Sequence, residues 1–565
     1  MKTLFLIFLL LGCINYSSSS TAATTIVVDW AIDEEPGNNY HTCTYSQGSF
    51  FQPDTTGSGA GKCTLRRALR EAGARTDDTA CPGCTPIHIV FSGLNGTNGD
   101  DDDANYNLAD DQWTLPVSSA ITSSAFTLKP QSTTDVDGPI IIRGFAGTNV
   151  LNGDMPKIMI DTSKTLEIEI SDVTIKNIGF MGGLSIRYKQ ANGVFKNNTW
   201  GLDNDGMSIK FESPGTDDSH LAGTAGITSS IKANNLLVQG NIITGASTNA
   251  ISINSGTIGV QILDNLIGTR IDGTVPVVPA SLKCRTFTNP FTPTPALDAN
   301  EWFGGYGITA AGTGLIIKGN TLVGLQNMRS AGDTPPGALR ILGSLHTVED
   351  NIFGKDTAGN ERGICGQAIQ ISTQTDTSEQ NNGHLILNNE IYSPTNGFST
   401  PTGAIYWSDT HVNSYHDGGN TIRGNIIKDG LTKSIEIGPN LTQALKAFEP
   451  AVITSISGVN ISGNSHTFNA YGDASPCPDC IIDFYLDDND AYQEALEYLG
   501  STVANSSGDF TFTLATPLLD DYGIRTTSTS VSDDVLPNSW SGQTSEMSIE
   551  VYGLNDDVIY IGGFE

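Results

Sequence analysis

Between residues 250 and 437 the chain repeats a short unit in which one variable residue stands between two mostly apolar ones. The units are Ile251-Ser252-Ile253, Ile308-Thr309-Ala310, Leu339-Arg340-Ile341, Ile369-Gln370-Ile371, Ile405-Tyr406-Trp407 and Ile435-Glu436-Ile437, and nearly all follow Ala, Ser or Gly. From Ile308 the steps between them are 31, 30, 36 and 30 residues. A second series is interleaved: Val238-Gln239-Gly240-Asn241, Ile262-Leu263-Asp264-Asn265, Ile317-Lys318-Gly319-Asn320, Val348-Glu349-Asp350-Asn351, Ile386-Leu387-Asn388-Asn389 and Ile422-Arg423-Gly424-Asn425. Except at Asn389, each final Asn is followed by an aliphatic residue or Thr-Leu.

Alternation inside each unit predicts strands rather than helices, and recurrence at a nearly fixed period predicts a repeat architecture. Short strands at this spacing with no helix between them point to a parallel β-helix, whose coils stack at about 4.8 Å. Inward side chains then pile into aliphatic columns, and outward ones form a surface stripe. The recurring Asn suits the left-handed position of a tight turn, and its amide can bond the coils above and below. A sandwich of antiparallel hairpins would need two-residue Asn-Gly turns, which are scarce here.

Weaker rungs at Ile140-Ile141-Ile142, Ile158-Met159-Ile160, Val173-Thr174-Ile175 and Met207-Ser208-Ile209 extend the pattern upstream, which sets the β-helix at 136–447. Residues 24–135 are expected to form an N-terminal cap. Within it, 64–73 has clean helical period: Leu65, Ala68, Leu69 and Ala72 share one face behind Thr64 as N-cap. A helix with one apolar stripe can cover the open end of a solenoid. From 450 to 553 the spacing changes to alternating strands of a small β-sandwich, followed by a tail at 554–565. Between Asn265 and Ile308 the turn swells to 43 residues, and its Pro-rich insertion at 275–303 carries Trp302 and Phe303. A loop this long is usually functional or disordered. A staple from Cys284 to Cys365 would lay it beside the strand stripe.

Acidic residues outnumber basic ones 61 to 29, giving a net charge of −32. That argues against nucleic acid or anionic membrane surfaces as partners and works against polyanionic substrates. Residues 1–23 read as an export signal, with Lys2 ahead of an apolar run from Leu4 to Leu11 that is too short to span a bilayer. Two processing routes stand: a lipobox-like Leu10-Leu11-Gly12-Cys13, with lipidation at Cys13 as the only link to a membrane, or cleavage after Thr21-Ala22-Ala23. Without Cys13 the nine cysteines become eight, which fall into the pairs Cys43–Cys63, Cys81–Cys84, Cys284–Cys365 and Cys477–Cys480. The two Cys-Pro-x-Cys segments lack the βαβ context of a redox motif and the four-ligand set of a zinc site, so disulfides of an exported protein account for them. The acidic run Asp100–Asp103, with Asp110 and Asp111 nearby, is the one feature suggesting calcium. It lacks EF-hand spacing and reads more simply as a solvated loop. No other cofactor is implied.

The segment Cys63-Thr64-Leu65-Arg66-Arg67-Ala68-Leu69-Arg70-Glu71-Ala72 resembles the Cys-Ser-Leu-Arg-Glu-Ala motif that opens many bacterial secreted β-helix proteins, with Cys43 matching their upstream Cys. It departs in Thr64 for Ser and Arg67 for Glu, and the second change removes a reciprocal capping-box bond. Asn265-Leu266-Ile267-Gly268-Thr269 and Asn351-Ile352-Phe353-Gly354 are similar to a recurrent unit of their coils. Thr544-Ser545-Glu546-Met547-Ser548 is similar to the end of the immunoglobulin-like domain that often follows them. The resemblance implies an all-β chain with a right-handed parallel β-helix and an extracellular or cell-surface home. It implies no single activity.

Read down the coils, the outward stripe is Ser208, Ser252, Thr309, Arg340, Gln370, Tyr406 and Glu436. On β-helix polysaccharide lyases and hydrolases such a stripe holds substrate. The catalytic candidates are Arg340 for a uronate, Tyr406 or His411 for proton transfer, and Asp409 with Glu436 as a hydrolytic pair. No pectate-lyase calcium cluster and no glycosidase Asp-Asp or Gly-His-Gly motif accompanies them. The expected function is therefore non-catalytic: a monomer for adhesion or glycan binding, with Arg340, Gln370, Tyr406, Trp302 and Phe303 as the ligand contacts. The alternative is a secreted polysaccharide lyase or glycoside hydrolase acting around Arg340, Tyr406 and Glu436.

Overall fold

The computed structural model describes residues 24–29, 43, 63–73, 86–91, 106–107, 111–117, 126–130, 139–162, 164–181, 185–210, 223–277, 307–325, 338–372, 383–392, 394–395, 403–408, 419–428, 433–438, 448–468, 474–488, 490, 492–531 and 542–552. Residues 1–23, where an export signal is expected, both cysteines of the 81–84 segment, the run Asp100–Asp103, nearly all of the 275–303 insertion and the C-terminal tail lie outside the described residues.

Strands stack in register into three long sheets of 11, 11 and 10 strands, and the chain visits them in turn, which is the arrangement of a parallel β-helix. The first sheet runs from Thr24–Val28 to Thr421–Arg423, the second ends at Ile426–Lys428, and the third runs from Phe126–Leu128 to Ile435–Ile437. All pairings in them are parallel except the opening Tyr106–Asn107 hairpin.

Alternation has the predicted consequence. Ile26, Ile89, Ile142, Ile175, Phe195, Val238, Ile262, Ile317, Val348, Ile386 and Ile422 are successive register partners in the first sheet, each at most 2% exposed. Burying one such side chain contributes about 1.5–3 kcal/mol, so a column of them defines the inside of the solenoid.

The Asn series forms a second, polar ladder at the corner between the first and second sheets. Asn198, Asn241, Asn265, Asn320, Asn351, Asn389 and Asn425 are at most 3% exposed. Each side-chain amide donates to the next Asn Oδ1 at 2.9–3.3 Å, and that oxygen also accepts the backbone N–H of the Asn before it. The left-handed backbone falls one residue earlier than expected, at Asn197, Gly240, Asp264, Gly319, Asp350, Asn388 and Gly424. The ladder Asn is thus chosen for its amide, and its predecessor for the turn.

The start of the solenoid is also corrected. Strands at Thr24–Val28, Ile87–Phe91, Gln112–Val117 and Phe126–Leu128 already belong to the three sheets, so pairing begins well before residue 136. The helix Leu65–Gly73 packs on these first strands. Leu65, Ala68, Leu69 and Ala72 are buried, Thr64 Oγ1 accepts the Arg67 N–H at 3.3 Å, and the Arg66 guanidinium lies 5.6 Å from the Phe126 ring centre.

Beyond residue 448, two antiparallel sheets face each other: Val452–Ser457, Asn460–Asn464 and Asp509–Thr513 in one, Glu497–Val503, Ile481–Asp488, Tyr522–Thr529 and Val551–Tyr552 in the other. Phe484 stacks on Phe512 across them with ring centres 4.2 Å apart. This unit satisfies the edge of the last coil: Ala495 and Ile427 exchange backbone bonds at 2.9 Å, Thr544 Oγ1 accepts from Ile422 N at 2.9 Å, and Glu546 Oε1 accepts from Ile437 N at 2.7 Å. Among the described residues no helix is long and apolar enough to cross a membrane.

Candidate functional site

The outward column of the third sheet reads Thr127, Glu167, Arg187, Thr228, Ser252, Thr309, Arg340, Gln370, Tyr406, Glu436, each the register partner of the next. The six positions from Ser252 to Glu436 stand as the sequence pattern implies. Ser208 does not belong. It sits in a surface turn where its hydroxyl donates to Asp205 Oδ2 at 2.8 Å, and neighbouring Ile209 bridges back to Leu202. The upper half is mostly Ser and Thr but also carries a charged group: Lys189 bonds Glu167 at 2.7 Å and Glu169 at 2.8 Å, with Arg187 beside Glu167. The triplet Ile186-Arg187-Tyr188 carries the same alternation as the later units, and that signal could have placed Arg187 in the column.

In the lower half, Arg340 Nη2 donates to Ser372 Oγ at 3.0 Å, which directs the guanidinium along the column. Gln370 is only 5% exposed between its neighbours. The Tyr406 phenol is held above its ordinary pKa, first by burial and then by the Glu436 carboxylate. Glu436 Oε2 accepts the Gly403 backbone N–H at 2.7 Å. The column therefore carries a guanidinium, a nearly buried amide and a protonated phenol in line, above a carboxylate with one oxygen bonded to the backbone. Such a set can donate and accept hydrogen bonds along the column. Trp302, Phe303, Asp409 and His411 lie outside the described residues.

Disulfides join Cys43 to Cys63 and Cys477 to Cys480. Cys365 is also disulfide-bonded, to a partner outside the described residues. Asp111, read with the acidic loop, pairs with Lys157 and accepts from Tyr106 at 2.9 Å. An acidic group that the sequence pattern did not reveal, Asp487, Asp488 and Glu494, converges within 4.8 Å in the C-terminal unit. Arg525 already pairs with Asp487 there.

No family model matches the chain, and no curated protein matches it. Among solved structures, the ORF18 protein of Geobacillus virus E2 is similar at 8% identity and a TM-score of 0.26, covering 85% of this chain and 71% of that one. QnrB1, a plasmid-mediated fluoroquinolone resistance protein, is similar at 10% identity and a TM-score of 0.14, covering 53% of this chain and 89% of that one. Likenesses this remote carry no functional argument.

Proposed function

We propose that this chain is a non-catalytic, extracellular or cell-surface glycan-binding protein, built on a right-handed β-helix with an immunoglobulin-like C-terminal unit. The observation that carries the reading is the run Arg340–Gln370–Tyr406–Glu436 on four consecutive paired strands. Coils about 4.8 Å apart present roughly one polar side chain per sugar ring, with Tyr406 as a stacking surface. The Tyr406 phenol, held above its ordinary pKa, stays a hydrogen-bond donor for such a ligand. Export is supported by the disulfides, which persist in oxidising compartments. A helix at one end and a sandwich at the other leave little open sheet edge for self-association, in keeping with a monomer. A lipid anchor at Cys13 and the loop carrying Trp302 and Phe303 as the rim of the site remain part of the proposal.

The test is a glycan array on the full chain followed by titration of any hit. Tyr406→Ala should weaken binding by about 1–3 kcal/mol, as loss of an aromatic anchor does. Thr228→Ala, in the same column but several coils away, should leave it unchanged. Equal effects from both, or release of shortened saccharide products, would remove the basis of the reading.

A further inference from the structure

A different face of the solenoid carries an unexpected concentration of positive charge. In the first sheet Arg143, Lys176 and Lys196 are direct register partners on three successive strands, all on the outward side. Like charges directly opposite one another on a sheet destabilise it, yet here three are stacked in a chain of net charge −32. Most other described cations are neutralised: Lys318, further along the same column, bonds Glu349 at 2.8 Å and Asp350 at 3.0 Å, and Lys189, Lys355, Arg423 and Arg525 each have a carboxylate. Arg143, Lys176 and Lys196 have none among the described residues. His88, on the neighbouring strand, feels this field: burial lowers its pKa first, and the charges of Arg143 and Lys176 lower it further.

Two of the three open into a cleft of about 590 Å³ at the corner between the first and second sheets. One wall is the excursion Thr148–Leu151, fixed by Asn197, whose Nδ2 donates to Thr148 O at 2.6 Å and whose Oδ1 accepts from Val150 N at 2.9 Å. Lys196 Nζ is oriented by Gln239 Oε1 at 3.1 Å. Leu151, 41% exposed, offers a small apolar surface between the amides and the ammonium groups. A rigid wall, an apolar patch and cations repeated at the coil spacing of about 4.8 Å match an oligomer with one negative charge per ring. One carboxylate, Asp264, also lines the cleft, where its Oδ2 accepts from Gln239 Nε2 at 3.3 Å, so the two lysines face a single acid there. Acidic residues farther away count little, because charges beyond about 8 Å are largely screened at physiological ionic strength.

We propose that the cleft bounded by Lys176, Lys196, Thr148–Leu151 and Gln239 is a second binding site, one that takes an acidic saccharide bearing carboxylate or sulfate groups. It is separate from the Arg340–Tyr406 stripe and does not depend on that assignment.

Titration of the full chain with a uronate hexasaccharide, a sulfated hexasaccharide, a neutral glucan hexamer and inorganic phosphate tests it. One or both acidic hexamers should bind, and the better of the two names the charged group. Binding should weaken as salt is raised and fall at least about tenfold in the double variant Lys176→Gln/Lys196→Gln, as expected for loss of charge-assisted contacts. Lys176→Arg/Lys196→Arg should retain it, and Tyr406→Ala should not change it, which separates this site from the stripe. Both lysines are solvent-accessible, so an unchanged melting curve checks that the variants fold. The proposal is overturned if no acidic hexamer binds, if the double glutamine variant binds like the parent, if the neutral hexamer binds as tightly, or if phosphate binds here while the saccharides do not.

Discussion

Arg423, on the last strand of the first sheet, clasps Asp483 of the C-terminal unit with two hydrogen bonds, Nε to Oδ2 at 2.6 Å and Nη2 to Oδ1 at 2.7 Å. Tyr498 donates to the same carboxylate at 2.8 Å, and Gly424 N donates to the Tyr485 hydroxyl at 3.0 Å. The Asp483 side chain is fully buried, and its hydrogen bond and charge raise the Arg423 pKa above its ordinary value. The solenoid thus ends on a charged lock rather than on an open edge.

Breaking that lock from one side strands a buried carboxylate. Arg423→Ala should cost about 3–5 kcal/mol, whereas replacing both partners with apolar residues of similar volume should cost far less. Urea unfolding of the single and double variants, followed by a probe in the C-terminal unit, distinguishes the two outcomes. Equal losses would mean that the ion pair is not what joins the units.

The Asn ladder makes a second demand on stability. Asn320 Oδ1 accepts both the backbone and side-chain N–H of Asn265, and its Nδ2 donates to Asn351 Oδ1 and Ile262 O. Asn320→Ala leaves at least two buried polar groups without partners, each costing about 1–3 kcal/mol. The expected loss is about 3 kcal/mol or more, against a few tenths for Gln261→Ala on the exposed side of the same sheet. Chemical denaturation of both variants measures the contrast.

The solenoid was legible because its signal is periodic: apolar residues at inward positions, an Asn at each corner and a left-handed residue before it. From Ser252 onward the outward stripe could be read for the same reason, since the register follows from the repeat. Upstream, variable excursions broke the period. The rung Met207-Ser208-Ile209 imitated a strand triplet within a turn, while Ile186-Arg187-Tyr188 and Ile227-Thr228-Ser229 were the true ones. Strands at Thr24 and Ile87 were hidden because long segments separate Thr24 from its partner Ile87 and Ile87 from its partner Ile140. The stacked cations Arg143, Lys176 and Lys196 could not be anticipated without the register, since they lie on separate turns of the chain.

The disulfides should differ in weight. Cys43–Cys63 closes a separation of 20 residues and ties the chain to the start of the helix, so its loss should cost about 3 kcal/mol. Cys477–Cys480 closes a separation of 3 and constrains the unfolded chain less. Thermal unfolding of Cys43→Ala/Cys63→Ala should show a clear drop, and Cys477→Ala/Cys480→Ala a smaller one. The reverse order would refute the loop-closure account.

Acid should weaken the chain through two histidines. The position preceding each first-sheet strand reads Leu236, Val260, Leu315, His346, His384, Asn420, so an apolar column turns polar as it nears the C-terminal unit. His346 Nδ1 accepts from Leu315 N at 3.2 Å, His384 Nδ1 accepts from His346 N at 3.2 Å, Asn420 Oδ1 accepts from His384 N at 3.0 Å, and Gln543 Oε1 accepts from Asn420 N at 3.4 Å. Both rings are fully buried, stacked with centres 4.9 Å apart. Burial holds the His346 pKa down to about 4, and His384 is lowered by burial and by the ring beside it. In the unfolded chain both return to the ordinary value near 6.5. As pH falls through 6.5 the unfolded state takes up protons that the folded state refuses until about 4. Stability is therefore lost across that window and, for His346, levels off below it. The loss from His346 is on the order of 3 kcal/mol, and His384 adds in the same direction. In His346→Asn/His384→Asn the amide oxygens can accept the same backbone N–H groups, as Asn420 does. The double variant should be less stable at neutral pH, because its side chains are smaller, yet lose much less between pH 6.5 and 4. Unfolding midpoints measured across that range for parent and variant decide it, and parallel curves would place the acid sensitivity elsewhere.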